Sequence, residues 1–176
     1  ASFPKLPHVR RLGIQVEASA VNRTVPRESI GRIIQEMLSR GWEVFLFGSP
    51  RPPLTGLPPG VSDFAGLGFP FRKSVAVMSQ CDVLLGPDSA LVHVAGAIDL
   101  PCVALYGPFP AKLRTAYAPS ITAIQGGGPC APCFHHQRGG VLFPQGKPCT
   151  KSRRCEVLAA IDHAKVVKAI EKACRR

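Results

Sequence analysis

Two groups of residues carry side chains able to do chemistry. The first is Asp88-Ser89 with His93 close behind, inside the stretch CDVLLGPDSALVHVAGAIDLPCVALYGPFP that runs from Cys81 to Pro110. A carboxylate, a hydroxyl and an imidazole in one short segment can hold an anion, move a proton or cap a helix. The second is Cys130-Ala131-Pro132-Cys133 with Cys149 and Cys155 beyond it, a C-x2-C, x15, C-x5-C arrangement. A C-x2-C turn aims two thiolates at one metal ion, and a second pair completes a tetrahedral four-sulfur site. Zinc is the default occupant and iron the alternative, because four thiolates suit both. A disulfide pair and free thiols are the competing readings, the former disfavoured in a reducing compartment. His135 and His136 lie in the same loop-rich stretch; either could replace one cysteine, but they read as exposed polar residues.

The elements that position the first group can be read around it. Val83-Leu84-Leu85 is an apolar strand, Gly86-Pro87 breaks it, and Asp88 or Ser89 is placed to cap a following helix. Ala95, Gly96 and Ala97 let that helix approach a sheet closely; Pro101 ends it, and Val103–Tyr106 makes the next strand. A strand, helix, strand unit of this kind is a right-handed parallel crossover. Its helix start presents free N–H groups and a partial positive charge, a natural seat for phosphate. The plainer reading makes Asp88 a cap and His93 a satisfied, half-buried histidine.

The rest of the chain alternates in the same way. Arg11–Val16 reads as a strand, Pro26 opens a helix to about Arg40 through Ile30, Ile33, Ile34, Met37 and Leu38, and Trp42–Phe47 is a second strand. A proline-rich loop, Pro50–Pro59, precedes a third strand expected at Ser62–Leu67 and a helix over Phe71–Gln80. A short helix within Pro110–Tyr117, a strand at Ile121–Ile124, and a last helix from His163 to Arg175 follow. Asp162 caps that last helix, which packs Val166, Val167, Ile170 and Ala173. The class is α/β with a doubly wound parallel sheet. Residues 1–10 read as a linker and 11–176 as one domain, with a Cys-rich segment at 126–156 ahead of the closing helix.

Asp88-Ser89-Ala90-Leu91-Val92-His93-Val94-Ala95-Gly96-Ala97, then Leu100-Pro101 and Ala104-Leu105-Tyr106-Gly107-Pro108, carries a resemblance. It is similar to D-[ST]-G-x-x-H-x-A-x-A with P-x-x-x-L-[FY]-G-P, the signature of the bacterial heptosyltransferases, glycosyltransferases of the GT-B fold. The resemblance implies the Rossmann-like carboxy-terminal half of such an enzyme, binding a nucleoside diphosphate sugar of the ADP-heptose kind. It implies that backbone N–H groups of Ser89, Ala90 and Leu91 hold the diphosphate, with Asp88 close to the sugar and Arg23 and His93 helping to stabilise the leaving nucleoside diphosphate. Ala90 stands where the pattern has glycine. The acidic residue that the family often places after the second strand to hold ribose has no counterpart in Gly48-Ser49-Pro50-Arg51-Pro52-Pro53. Phe69 is placed to flank a base or to pack in the core. The general base of the family belongs to an amino-terminal domain that this chain lacks, so no catalytic residue is assigned here, and the chain alone is expected to bind donor without transferring sugar. The acceptor would be lipopolysaccharide core or a protein. A related group that glycosylates autotransporters carries iron in a cysteine site of this region.

With 176 residues and 45% hydrophobic content, the chain can bury a real core and is not a disordered segment. No apolar run approaches the roughly 20 residues that cross a bilayer, and ASFPKLPHVRR has no signal-peptide core, so a cytoplasmic protein is expected, with association to a membrane surface left open. A net charge of +11 favours an anionic partner: nucleotide, lipopolysaccharide phosphate or nucleic acid. Two further functions stay open. One is a basic zinc-binding nucleic-acid module on the Cys segment, flanked by Lys147, Lys151, Arg153 and Arg154 but without an aromatic stacking platform. The other is a nucleotide-sugar-binding domain without catalysis.

Overall fold

The computed structural model describes residues 9–133, 137–138, 141–142 and 155–175. Six strands form one parallel sheet in the order β3-β2-β1-β4-β5-β6. They are β1 Arg11–Gln15, β2 Glu43–Phe47, β3 Val61–Asp63, β4 Val83–Pro87, β5 Cys102–Tyr106 and β6 Ile121–Gln125. The helices are α1 Arg27–Ser39, α2 Phe71–Met78, α3 Ala90–Ala97, α4 Ala111–Thr115, α5 Glu156–Ala159 and α6 His163–Cys174. A two-stranded antiparallel hairpin, β7 Gln137–Arg138 with β8 Val141–Leu142, stands apart from the sheet.

Every residue of β1, β4 and β5 is buried, as expected of central parallel strands covered on both faces. Alternate residues divide between two cores. Leu12, Ile14, Val44, Leu46, Leu85 and Val103 pack against α1 and α6 through Ile33, Met37, Val167 and Ile170. Phe47, Leu84, Cys102, Ala104 and Tyr106 pack against α2 and α3 through Met78, Leu91, Val92 and Ala95. The strand order reverses between β1 and β4, so the carboxyl ends of those two strands flank a crevice.

Local chemistry sets the element ends. Pro26 occupies the N-cap position of α1, and Gly41 at φ 76° terminates the chain's helical path. Helix α3 stops at Ala97, before Pro101: Asp99 turns left-handed at φ 55° and the Leu100 amide donates back to the Ala95 carbonyl at 2.9 Å. Asp162 caps α6 by accepting from the Ala164 amide at 3.0 Å, and Val166, Val167, Ile170 and Ala173 are its buried residues. The third strand is earlier and shorter than the Ser62–Leu67 expected. Pairing ends at Asp63 because the Phe64 and Ala65 amides both donate to the Leu46 carbonyl, which turns the chain out of the ladder. Among the described residues no helix is long and apolar enough to cross a membrane.

Candidate functional site

The crevice between β1 and β4 is built first by backbone. Gly86, in β4, has no room for a side chain: a Cβ there would lie 3.0 Å from Val92 Cγ2 and 3.3 Å from Gln15 Cβ, so α3 and β1 close tightly on the strand. Ser89 is extended, with φ −158° and ψ 174°, and α3 begins at the next residue. The Ser89 hydroxyl does not cap that helix. It donates to Gln15 Oε1, with the Pro87 carbonyl 3.1 Å away, and Gln15 is in turn oriented by its own amide donating to the Glu17 carbonyl at 3.0 Å. Asp88 does not cap either, and among the described residues no side chain bonds the α3 start. The expectation of an Asp88 or Ser89 cap is therefore corrected: a contact across the β1–β4 seam engages the serine. The first-turn amides of α3 keep the partial positive charge of a helix start.

Arg23 closes the seam from the other side. It ends a 3-10 turn, Val21–Arg23, is 9% exposed, and donates from Nη1 to the Asp88 carbonyl and from Nη2 to Ser19 Oγ, both at 2.8 Å. It thus lies at the same end of the sheet as Asp88, clamping the loop that carries Asp88.

The Asp88 side chain is 3% exposed. Its Oδ1 is 3.4 Å from His93 Nε2 and its Oδ2 is 3.7 Å from Arg114 Nε, and Oδ2 has no hydrogen-bond partner among the described residues. His93 is itself held through Nδ1, 2.7 Å from the Tyr117 hydroxyl, with the two rings stacked at 6.2 Å. Arg114 and Tyr117 were not singled out by the sequence reading. A positive residue and a tyrosine one helical turn apart, just after the Gly107-Pro108 break, are the only signal for them. The β4–β5 register pairs Gly86 with Ala104, which carries Asp88 and Tyr106 to neighbouring positions on the α3 face. Burial, reinforced by the Asp88 charge, raises the Tyr106 phenol above its ordinary pKa, and burial does the same more weakly at Tyr117.

The loop after β2 has its own anchor. Asp63 accepts from both terminal nitrogens of Arg51 at 2.8 Å and from the Leu54 and Gly66 amides. Burial pushes the Asp63 carboxyl upward, but the Arg51 bond and the two amides outweigh it and leave its pKa below the ordinary value. Val16, Ile30, Ile34, Leu46, Leu54 and Leu57 line a cleft of about 210 Å³ between this loop and α1. Phe69 is half-buried, its ring 6.0 Å from Phe64 and covered by Lys73 Nζ at 4.0 Å.

Of the four metal-candidate cysteines, Cys130 and Cys133 are half-buried and Cys155 is buried, while Cys149 lies outside the described residues. Cys130 packs against the core cluster that contains Cys155. Among the described residues no three His, Cys, Asp or Glu side chains assemble into a metal site. His135, His136, Lys147, Lys151, Arg153 and Arg154 also lie outside the described residues. Cys81 and Cys102 are fully buried, as small apolar groups.

Comparison with known proteins agrees with this fold. The profile of glycosyltransferase family 9 (heptosyltransferase) matches residues 8–139. Lipooligosaccharide heptosyltransferase 2 of Haemophilus influenzae is 29% identical over 110 residues, which cover 57% of this chain and 32% of that protein. The solved ADP-heptose lipopolysaccharide heptosyltransferase II of E. coli superposes with a TM-score of 0.72 at 18% identity, covering 97% of this chain and 48% of that one. The iron-containing dodecameric heptosyltransferase TibC of enterotoxigenic E. coli, solved in complex with ADP-D-beta-D-heptose, gives 0.74 at 20% identity, covering 99% and 47%. The chain thus spans about a third of the curated relative and about half of each solved protein. On the profile match, which takes in most of its length and both strands of the crevice, this chain belongs to glycosyltransferase family 9, the heptosyltransferase family.

Proposed function

We propose that residues 11–176 are the donor-binding, carboxy-terminal domain of a heptosyltransferase-like enzyme, with residues 1–10 as its linker, taking a nucleoside diphosphate sugar of the ADP-heptose kind. One observation carries the reading: the α3 start, free of any side-chain cap among the described residues, opens at the β1–β4 switch point beside the buried Asp88 carboxylate. The amides of Ser89, Ala90 and Leu91 receive the diphosphate, and Asp88 faces the sugar. Arg23 keeps the loop in place and adds fixed positive charge, and His93 meets the leaving group. As the glycosidic bond to the diphosphate breaks, negative charge grows on the phosphate oxygens, and preorganised donors of this kind stabilise it without reorganising. The acceptor hydroxyl, on lipopolysaccharide core or on a protein, is activated by a base from an amino-terminal domain beyond this chain. The reading goes with a cytoplasmic enzyme working close to a membrane surface.

Cys130, Cys133, Cys149 and Cys155 are proposed to hold one structural zinc or iron ion. Cys130 packs against the same core cluster to which Cys155 belongs, which supports it. Such an ion would fix the 126–156 segment and take no part in sugar transfer. Metal analysis of the purified chain should find one equivalent, lost in a Cys130→Ser, Cys133→Ser double variant.

The donor reading is tested by calorimetric titration with ADP, UDP and GDP at moderate salt, beside a His93→Ala variant. Saturable binding of one nucleotide, weakened in the variant, is the expected result. Binding of nucleic acid that collapses with salt and ignores His93 would instead favour the basic module. Sugar transfer by this chain in the absence of any other polypeptide would overturn the division of labour proposed here.

A further inference from the structure

Two guanidinium groups lie near the α3 start, and their situations differ. Arg23 is buried, with both terminal nitrogens donated to protein oxygens. The Arg114 side chain is 39% exposed, and its Nε is 3.7 Å from Asp88 Oδ2, beyond hydrogen-bonding distance. Its guanidinium rests on the face of Phe109, 4.7 Å from the ring centroid. The carboxylate it faces is almost wholly buried, and its Oδ2 accepts no hydrogen bond among the described residues. A buried carboxylate beside a helix start repels any anion brought there, unless a mobile cation is shared between them.

We propose that Arg114 is that shared cation. Without ligand it screens Asp88; when a nucleoside diphosphate occupies the α3 start, it turns on the Phe109 face and hydrogen-bonds the outer phosphate. An arginine fork suits this task, since it can bond a phosphate while stacked on an aromatic ring. Arg114 is thereby a specificity-determining residue, selecting diphosphates over monophosphates. This rests on the donor-site reading above.

The test is calorimetric titration of the full chain with AMP and with ADP, for wild type, Arg114→Gln and Arg114→Lys, each checked by thermal melting. Loss of one charge-assisted hydrogen bond should weaken ADP about tenfold or more in Arg114→Gln and AMP by clearly less, so that the preference for ADP falls. Arg114→Lys keeps the charge but not the stacked fork, and should restore only part of the preference for ADP. ADP binding in Arg114→Gln equal to wild type overturns the inference and leaves the donor site standing. Equal weakening of AMP and ADP with a lowered melting temperature also overturns it, by showing a structural role. Wild type that binds no nucleotide at all overturns the donor-site reading, and this inference with it.

Discussion

Asp88 Oδ2 and the Tyr106 hydroxyl are both buried without a hydrogen bond among the described residues, but removing them has different consequences. The phenol is fully buried on the α3 face, where an unsatisfied hydroxyl costs about 1–3 kcal/mol. Tyr106→Phe should therefore leave the urea midpoint unchanged or higher; a fall of the midpoint would show that the hydroxyl has a partner such as an ordered water. Arg23 is the reverse case. Arg23→Met removes charge-assisted bonds to the Asp88 carbonyl and to Ser19, and should cost about 2–3 kcal/mol in urea unfolding. The position of Asp88 and His93 was legible, because a strand, a break and a helix follow one another locally. That Ser89 is engaged by Gln15 was not, since the contact depends on the register of two strands far apart in the chain. Arg114 and Tyr117 were hidden for a similar reason: their meeting with Asp88 and His93 depends on how α4 packs against β6, where the Ala111 amide donates to Gln125.

At the scale of elements, two glycines make opposite predictions. A Cβ on Gly96 of α3 would lie 2.8 Å from Ala118 Cβ and 3.0 Å from Ile121 Cδ1, so Gly96→Ala should destabilise by about 1–3 kcal/mol. Gly31, within α1, has nothing within 4 Å of such a Cβ, and Gly31→Ala should stabilise by about 0.5–1 kcal/mol through helix propensity and the unfolded chain. Denaturant midpoints of the pair check both signs at once. The small residues of α3 were legible as a device for close approach, though Ala97, the last of them, is exposed. The misplaced β3 shows the limit of periodicity: three residues at a sheet edge, none of them buried, leave no alternating signature to read.

For the whole molecule, the sheet was legible from its alternation alone, since strands and helices taking turns leave few topologies other than a doubly wound one. Charge bears on stability at the same scale. With 22 Lys and Arg against 11 Asp and Glu, acidification adds repulsion to an already positive chain. Asp63 adds a specific loss. Its folded pKa lies below the unfolded value of about 3.9, so its stabilisation is complete above that pH and drains away as pH falls through the folded value. Stability measured by urea unfolding should decline from about pH 4 downward, and Asp63→Asn should lower it at neutral pH while flattening that decline. The clamp across the β1–β4 seam has a bearing on recombination between relatives. Arg23 grips a main-chain carbonyl, so that link is indifferent to which side chain follows β4, whereas Gln15 reads the hydroxyl of Ser89 itself. A hybrid spliced between β3 and β4 should thus tolerate any partner half at the arginine, and demand a matched glutamine and serine at the second contact: one half of the domain is interchangeable at one bolt and keyed at the other.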